Sequence, residues 1–309
     1  MRVKLHNHNA GFTLVEILVV IAIIGLLAGI SLVALRAARS YVGASTVRHR
    51  LDDIGQGLEM YKQKYGEYPP DCTATKDEIR RHILKRWPKT LKAGTAREMT
   101  DIAYQLSGCN VDYEPEFYPD PGDLGVDESP YPQRNGAPAW AALFWLAGPD
   151  GEGFSQDEER PIKSLYEIYR DESDGTPDSR ETPMIELSYD SDGTGGGNWN
   201  REIGLMFNGL PIVYFKSKGK AQYDGRDLHG AWGNSVAAPY MKNGAWYNPD
   251  SFQLIYPGED GDFGADVDAH EGHDDAYPRD LGDPTTISPA DRDNITNFTD
   301  GATIESVMD

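Results

Sequence analysis

The chain is poor in cysteine, in positive charge toward its end, and in long apolar runs. Only Cys72 and Cys109 occur among 309 residues. Two such distant cysteines define no metal site, and they leave open a single disulfide if the domain is exported. Residues 251–309 hold 15 acids against only Arg279 and Arg292. That end therefore offers no surface for nucleic acid and reads either as a solvated face or as a cation site. One apolar run, Phe12 to Leu35, is long enough to cross a bilayer as a helix. Local catalytic signatures are missing too. The glycines of 193–197 are not followed by Lys-Ser/Thr, which excludes a phosphate loop. The stretch ending Asp174-Gly175, with Glu181 at the twelfth place, has Arg170 where a calcium loop needs its first oxygen ligand. His270 and His273 lack a third nitrogen or sulfur partner at zinc spacing. No Ser/His/Asp or Cys/His arrangement is signalled by a local motif.

What is there begins with the apolar run itself. It is interrupted by Thr13, Glu16 and Ser31, and Glu16 falls four residues after Phe12, on the same helical face. A lone carboxylate at that depth costs about 2.5–3.5 kcal/mol unless paired, so Glu16 is a functional residue by default. Residues 1–11 are basic through Arg2 and Lys4 and contain no acid. The positive-inside rule makes them a cytoplasmic leader and puts the remainder across the membrane. The formal charge is 29 − 50 = −21, unevenly spread, since residues 36–100 carry 14 Lys/Arg against 8 Asp/Glu.

The junction Gly11-Phe12-Thr13-Leu14-Val15-Glu16 resembles the cleavage and methylation motif of type IV pilins and of the pseudopilins of type II secretion. The resemblance implies that a prepilin peptidase cuts between Gly11 and Phe12 and that the new Phe12 amine is methylated. It also implies that Glu16 neutralises that amine on a neighbouring subunit during filament growth. The physics agrees: a buried carboxylate and a buried ammonium each lose hydration, and a well-formed pair offsets that loss. The alternative is a plain signal anchor in which Glu16 is incidental.

After the span, Leu51, Ile54, Leu58, Tyr61 and Tyr65 recur at three- and four-residue steps, one helical stripe that ends before Gly66 and Pro69-Pro70. A bend or a melted stretch is expected near Gly43, Gly55 and Gly57. The phrase from Leu58 to Pro69 resembles the "L-x-x-Y-K-x-x-x-G-x-Y-P" segment of the major pseudopilins. Residues 76–106 read as helix broken at Trp87-Pro88, with Ile79, Ile83 and Leu84 on one face and Arg80, Arg81, Lys85 and Arg86 on a solvated or acid-facing side. Residues 139–146 read as a buried helix. Short strands are expected around Ile185–Leu187, and a small antiparallel sheet from Leu210–Phe215, Trp246-Tyr247 and Phe252–Tyr256. Trp232-Gly233-Asn234 with Tyr240 resembles, in stretched form, a pseudopilin turn.

The fold expected is α+β and pilin-like, a long N-terminal helix packed on a small antiparallel sheet with loop-rich insertions. Its parts are a leader (1–11), a transmembrane or filament-core helix (12–35), an amphipathic extension (36–70) and a periplasmic head (71–309). In the major pseudopilins a "G-A-D-G" turn and a closing "D-D-I-x-N-W" segment hold calcium. Here Gly258-Glu259-Asp260-Gly261 and Asp293-Asn294-Ile295-Thr296-Asn297-Phe298 resemble them. The resemblance implies a Ca2+ ion held by Asp260, Asp293, Asn294 and a carbonyl from Leu254 or Ile255. Asp262, Asp266, Asp268, Glu271, Asp274 and Asp275 lie between the two halves as substitutes; a merely solvated acidic loop is the other reading. The function implied is structural, not enzymatic: a single-pass inner-membrane subunit whose head lies in the periplasm. Its partners are other pseudopilin subunits in a homo-oligomeric filament, the prepilin peptidase, the secretion platform and the membrane, with no nucleic acid. Two rivals are a type IV pilus subunit for adhesion, motility or DNA uptake, and a membrane-anchored enzyme or carbohydrate-binding domain within residues 110–250.

Overall fold

A computed structural model describes Leu18, Ile21 and residues 44–107, 137–173, 175–176, 178–187, 199–200, 204–219, 223, 237–264, 279–300 and 302–308. The chain divides into two compact units, Met1–Ser45 and Thr46–Asp309. In the first unit Leu18 and Ile21 are helical and exposed, at 56 % and 61 %. The rest of the expected span lies outside the described residues. Among the described residues no helix is long and apolar enough to cross a membrane.

Helix α1, described over 44–65, carries the predicted stripe into the core. Leu51, Ile54, Leu58 and Tyr61 are buried and Tyr65 is half-buried. It ends at Gly66, whose φ of +81° gives the left-handed stop that favours glycine. Of the expected bend or melted stretch, melting does not occur at Gly55 or Gly57, for the helix runs through both. Gly57 serves a close approach, whereas Gly55 has room for a side chain. A Cβ on Gly57 would lie 2.5 Å from Ile185, and one on Gly55 would lie 3.7 Å from Phe252. Gly43 lies outside the described residues.

Beyond Pro69-Pro70 the chain returns to helix. α2 (Lys76–Arg86) opens on a reciprocal cap, the Thr75 hydroxyl accepting from Glu78 N–H while the Glu78 carboxylate accepts from Thr75 N–H. The predicted break at Trp87-Pro88 is present, and α3 (Lys89–Ala93) and α4 (Ala96–Leu106) follow, with α2 packed on α4. α5 (Ala137–Ala147) is buried from Ala139 to Ala147 because it is apolar on every side. It lies against strands β2 (Gly204–Phe207) and β4 (Val213–Lys216). α6 (Leu165–Ser173) completes the helices described. No strand forms at Ile185–Leu187; that segment is irregular, its Met184 N–H bonded to the Leu146 carbonyl and its Ile185 seated against Gly57.

The sheet expectation holds in part. Three small sheets are described, not one. The first joins β1 (Trp199–Asn200), β2 and β3 (Leu210–Pro211), all antiparallel. The second places β7 (Phe252–Tyr256) between β4 and β9 (Ile295–Thr296), with Val213 opposite Ile255 and Ile255 opposite Thr296. The third pairs β5 (Tyr240–Lys242) antiparallel with β6 (Ala245–Trp246) and parallel with β8 (Arg279–Asp280). Asn208-Gly209 and Asn243-Gly244, all with positive φ, make the two-residue hairpin turns of the first and third sheets. The architecture is α+β and pilin-like, with one mixed sheet among antiparallel ones.

Candidate functional site

Strand β7 delivers the chain to Gly258-Glu259-Asp260-Gly261, and a 3-10 turn, Ala290–Asp293, brings Asp293 to the same place. Asp293 Oδ2 accepts from the backbone N–H of Glu259 at 2.8 Å and of Asp260 at 3.2 Å. Glycine is required at 258, where φ is +71° and a Cβ would collide with the Asp293 carboxylate. The other oxygen, Asp293 Oδ1, is buried and has no hydrogen-bond partner among the described residues. Burial pushes the Asp293 carboxyl above its ordinary range; the Asp260 carboxylate adds to this while the two backbone donors oppose it. Asp260 is exposed and accepts from Asp262 N–H at 2.9 Å.

Asn294 is fully buried, its Nδ2 donating to the Tyr240 hydroxyl at 2.8 Å and to the Phe263 carbonyl at 2.9 Å. Its Oδ1, like that of Asp293, has no partner among the described residues. Leu254 is tied to the same closing segment through Asn297, which takes its N–H at 3.0 Å and donates to its carbonyl at 3.3 Å. The structure thus brings the two halves of the expected calcium constellation into contact. Among the described residues no three His, Cys, Asp or Glu side chains group as metal ligands. Among the described residues the donors are all oxygen, two carboxylates and an amide, a set that suits a hard cation completed by carbonyls. Asp266, Asp268, His270, Glu271, His273, Asp274, Asp275 and the Trp232-Gly233-Asn234 turn lie outside the described residues. So do Gly11, Phe12 and Glu16.

Sequence reasoning missed the floor beneath this turn. Arg279 and Asp291 form an ion pair with each side chain 1 % exposed. Arg279 Nη1 donates to the Phe263 carbonyl at 2.6 Å, and the Tyr240 hydroxyl donates to Asp291 Oδ1 at 2.9 Å. Asp291 Oδ2 receives both Ser288 N–H and its hydroxyl at 2.8 Å. The available signal was a solitary arginine inside an acidic segment, since such a residue is either exposed or buried as a charge partner.

A second cluster stands where α1 meets α2. His82 lies between the Tyr61 hydroxyl at 2.6 Å and the Glu67 carboxylate at 2.8 Å. Arg86, expected on a solvated or acid-facing side, has a buried side chain that does face an acid, with its guanidinium also 4.1–5.1 Å from the ring centroids of Trp87, Tyr65, Phe154 and Tyr61. The end of α2 turns inward, so the last arginine of the basic run meets rings and the Glu181 carboxylate at 3.4 Å. Hydrogen bonding to His82 holds Glu67 down at about 2, while burial pushes the Tyr61 phenol up. The three side chains tie α1, the Glu67 turn and α2 together. Cys72 is buried, and Cys109 lies outside the described residues.

A family model for the prokaryotic N-terminal methylation motif matches residues 6–32. No curated protein and no solved structure matches the chain. The chain therefore carries the prepilin-type processing and methylation motif, and its N-terminus is of the pilin-like, membrane-anchored kind.

Proposed function

We propose that this chain is a structural pseudopilin subunit of a type II secretion system, cut after Gly11 and assembled into a periplasmic filament. The observation that carries the reading is the methylation motif over residues 6–32, in which Gly11-Phe12 and Glu16 stand at the head of the long apolar run. The α+β head supports it, with α1 sinking its stripe into the core and stopping at Gly66, inside the family-like segment Leu58 to Pro69. The exposed Leu18 and Ile21 suit a helix that exchanges lipid for neighbouring helices. The work is mechanical, not catalytic. The partners are the prepilin peptidase, other copies of the subunit and the inner-membrane platform, and the anchor is a single pass with the head outside.

In this reading Glu16 waits in the membrane at a cost that the Phe12 amine of an assembled neighbour relieves. Replacing Glu16 by Ala leaves cleavage after Gly11 intact and abolishes filaments recovered by shearing. Filaments from Glu16→Ala at the native level would refute the pairing.

We also propose that Asp260, Asp293 and Asn294 hold a calcium ion, with a carbonyl from the Leu254–Ile255 strand completing the set. The ion would supply positive charge to the unpartnered Asp293 oxygen and fasten the closing segment to β7.

A further inference from the structure

Where α1 meets α2, four side chains form one directed run of hydrogen bonds. An ionised carboxylate only accepts, so the 2.8 Å bond to Glu67 puts the His82 hydrogen on Nδ1 and leaves Nε2 as an acceptor. The Tyr61 hydroxyl therefore donates to Nε2 at 2.6 Å, and its oxygen in turn accepts from Arg86 Nη1 at 3.1 Å. Every donor from Arg86 through Tyr61 and His82 to Glu67 points the same way. Tyr61 is fully buried, and His82 and Arg86 are the partners of its oxygen among the described residues.

One added proton breaks this order. On the imidazole it can settle only at Nε2, which turns that nitrogen from acceptor to donor and sets it against the Tyr61 hydroxyl. The phenolic hydrogen then has to turn away, and no second acceptor for it is found among the described residues. Burial is the largest obstacle to a charged ring at this place, and Lys216 from β4 and Arg86 from α2 add to it. Glu67 favours the charge but is shared with Lys85 at 3.3 Å, and from α5 Trp145 meets the ring edge-on at 4.9 Å. Yet solvent is close. Glu67 and His82 both line a cleft of about 560 Å³ between the end of α1, helix α2 and the chain leaving β4. The Glu67 side chain is 36 % exposed and that of His82 is 4 % exposed, so a small separation of the seam hydrates the imidazole.

We infer that the seam between α1 and α2 is an acid-sensitive latch, which protonation of His82 at Nε2 opens toward the cleft while the sheet around β7 stays folded. A histidine that takes up its proton on exposure draws out the open form as the pH falls below the ordinary imidazole range, by at most about tenfold per pH unit for one proton. The width of the cleft thereby becomes a function of pH. The latch is independent of the filament and calcium readings, since none of its groups belongs to the N-terminal motif or to the Asp260–Asp293 turn.

Backbone hydrogen exchange of the full chain in detergent, read at pH 7 and pH 5 and corrected for the intrinsic rate at each, tests it. Amides of α2 should lose about tenfold in protection between the two. At pH 5 they should also exchange at least about tenfold faster than those of β7, the central strand of its sheet. Unchanged protection in α2 would overturn the latch. So would equal protection in α2 and β7 at pH 5, because the proton would then act only through unfolding of the whole head. His82→Gln keeps an acceptor for Tyr61 and a donor for Glu67 but takes up no proton, so its α2 amides should show the same protection at both pH values. A loss in His82→Gln as steep as the native one would assign the response to another group and sink the inference. Glu67→Gln removes an anion that favours the charged ring, so an acid response should persist there. Its disappearance in Glu67→Gln would put the proton on Glu67 and equally overturn the latch.

Discussion

His82 stands 3 % exposed between a phenol and a carboxylate, and burial, acting against the Glu67 charge, lowers its pKa below the ordinary 6.5. Lys216 and Arg86 face it from β4 and from its own helix, and both push the same way as burial. The folded head therefore holds the imidazole neutral. Stability from that state is fully present above about 6.5 and falls as pH drops through 6.5 toward the folded value. Glu67, held at about 2, acts in the same sense at lower pH, its contribution fading as pH falls below the ordinary 4.5 toward 2. The melting temperature of the full chain in detergent should decline between pH 7 and pH 5, and His82→Gln should flatten that decline. A His82→Gln slope as steep as the native one would show that another group sets the acid response. Read from sequence, His82 was one more polar residue on a basic helix; its burial follows from where α1 crosses α2, which no local pattern encodes.

At the scale of the element, the two glycines of α1 separate propensity from packing. Glycine inside a helix costs about 0.5–1 kcal/mol against alanine. At Gly55 a methyl group finds ordinary contact with Phe252 at 3.7 Å, so Gly55→Ala should recover about that amount as a rise in melting temperature. At Gly57 the same methyl would press on the β-branched methyl of Ile185 at 2.5 Å, a side chain stiff about its first torsion. Gly57→Ala should therefore destabilise, by about 1–3 kcal/mol of overpacking. Equal effects at both positions, by thermal or denaturant unfolding, would remove the close-approach account. The helix stripe, the break at Trp87-Pro88 and the buried run of α5 were legible because apolar spacing and proline act locally. The close approach at Gly57 was not legible because its neighbour, Ile185, lies in a distant segment that looked like a strand. The Asn-Gly pairs at 208–209 and 243–244 carried a hairpin signal plain in the sequence, and they set the turns of two sheets.

For the whole molecule, the closing segment is held by contacts that span the chain. Tyr214 on β4 donates to the Pro69 carbonyl at 2.8 Å, and Asn297 clasps Leu254 on β7. Beneath them the Arg279–Asp291 pair is so buried that removing either partner would strand a charge, at a cost of about 3–5 kcal/mol. Above it sits Asp293, whose carboxyl burial pushes above its ordinary range and whose Oδ1 has no partner among the described residues. In the proposed calcium site, millimolar calcium should raise the melting temperature of the chelated protein by several degrees. Asp293→Asn should abolish that response while melting no lower than the native protein in chelator. Identical native curves in calcium and chelator would remove the cation. Residue order alone determined the methylation motif, the apolar run with its single carboxylate, the helix stripe and the acidic stretch 251–309, because each is written in neighbouring residues. Only the tertiary structure decided that Arg86 and Arg279 are buried, that Gly57 is a contact, and that Glu259-Asp260 meets Asp293. Those outcomes depend on residues far apart in the chain sharing one small volume, where desolvation forces each charge to find a partner.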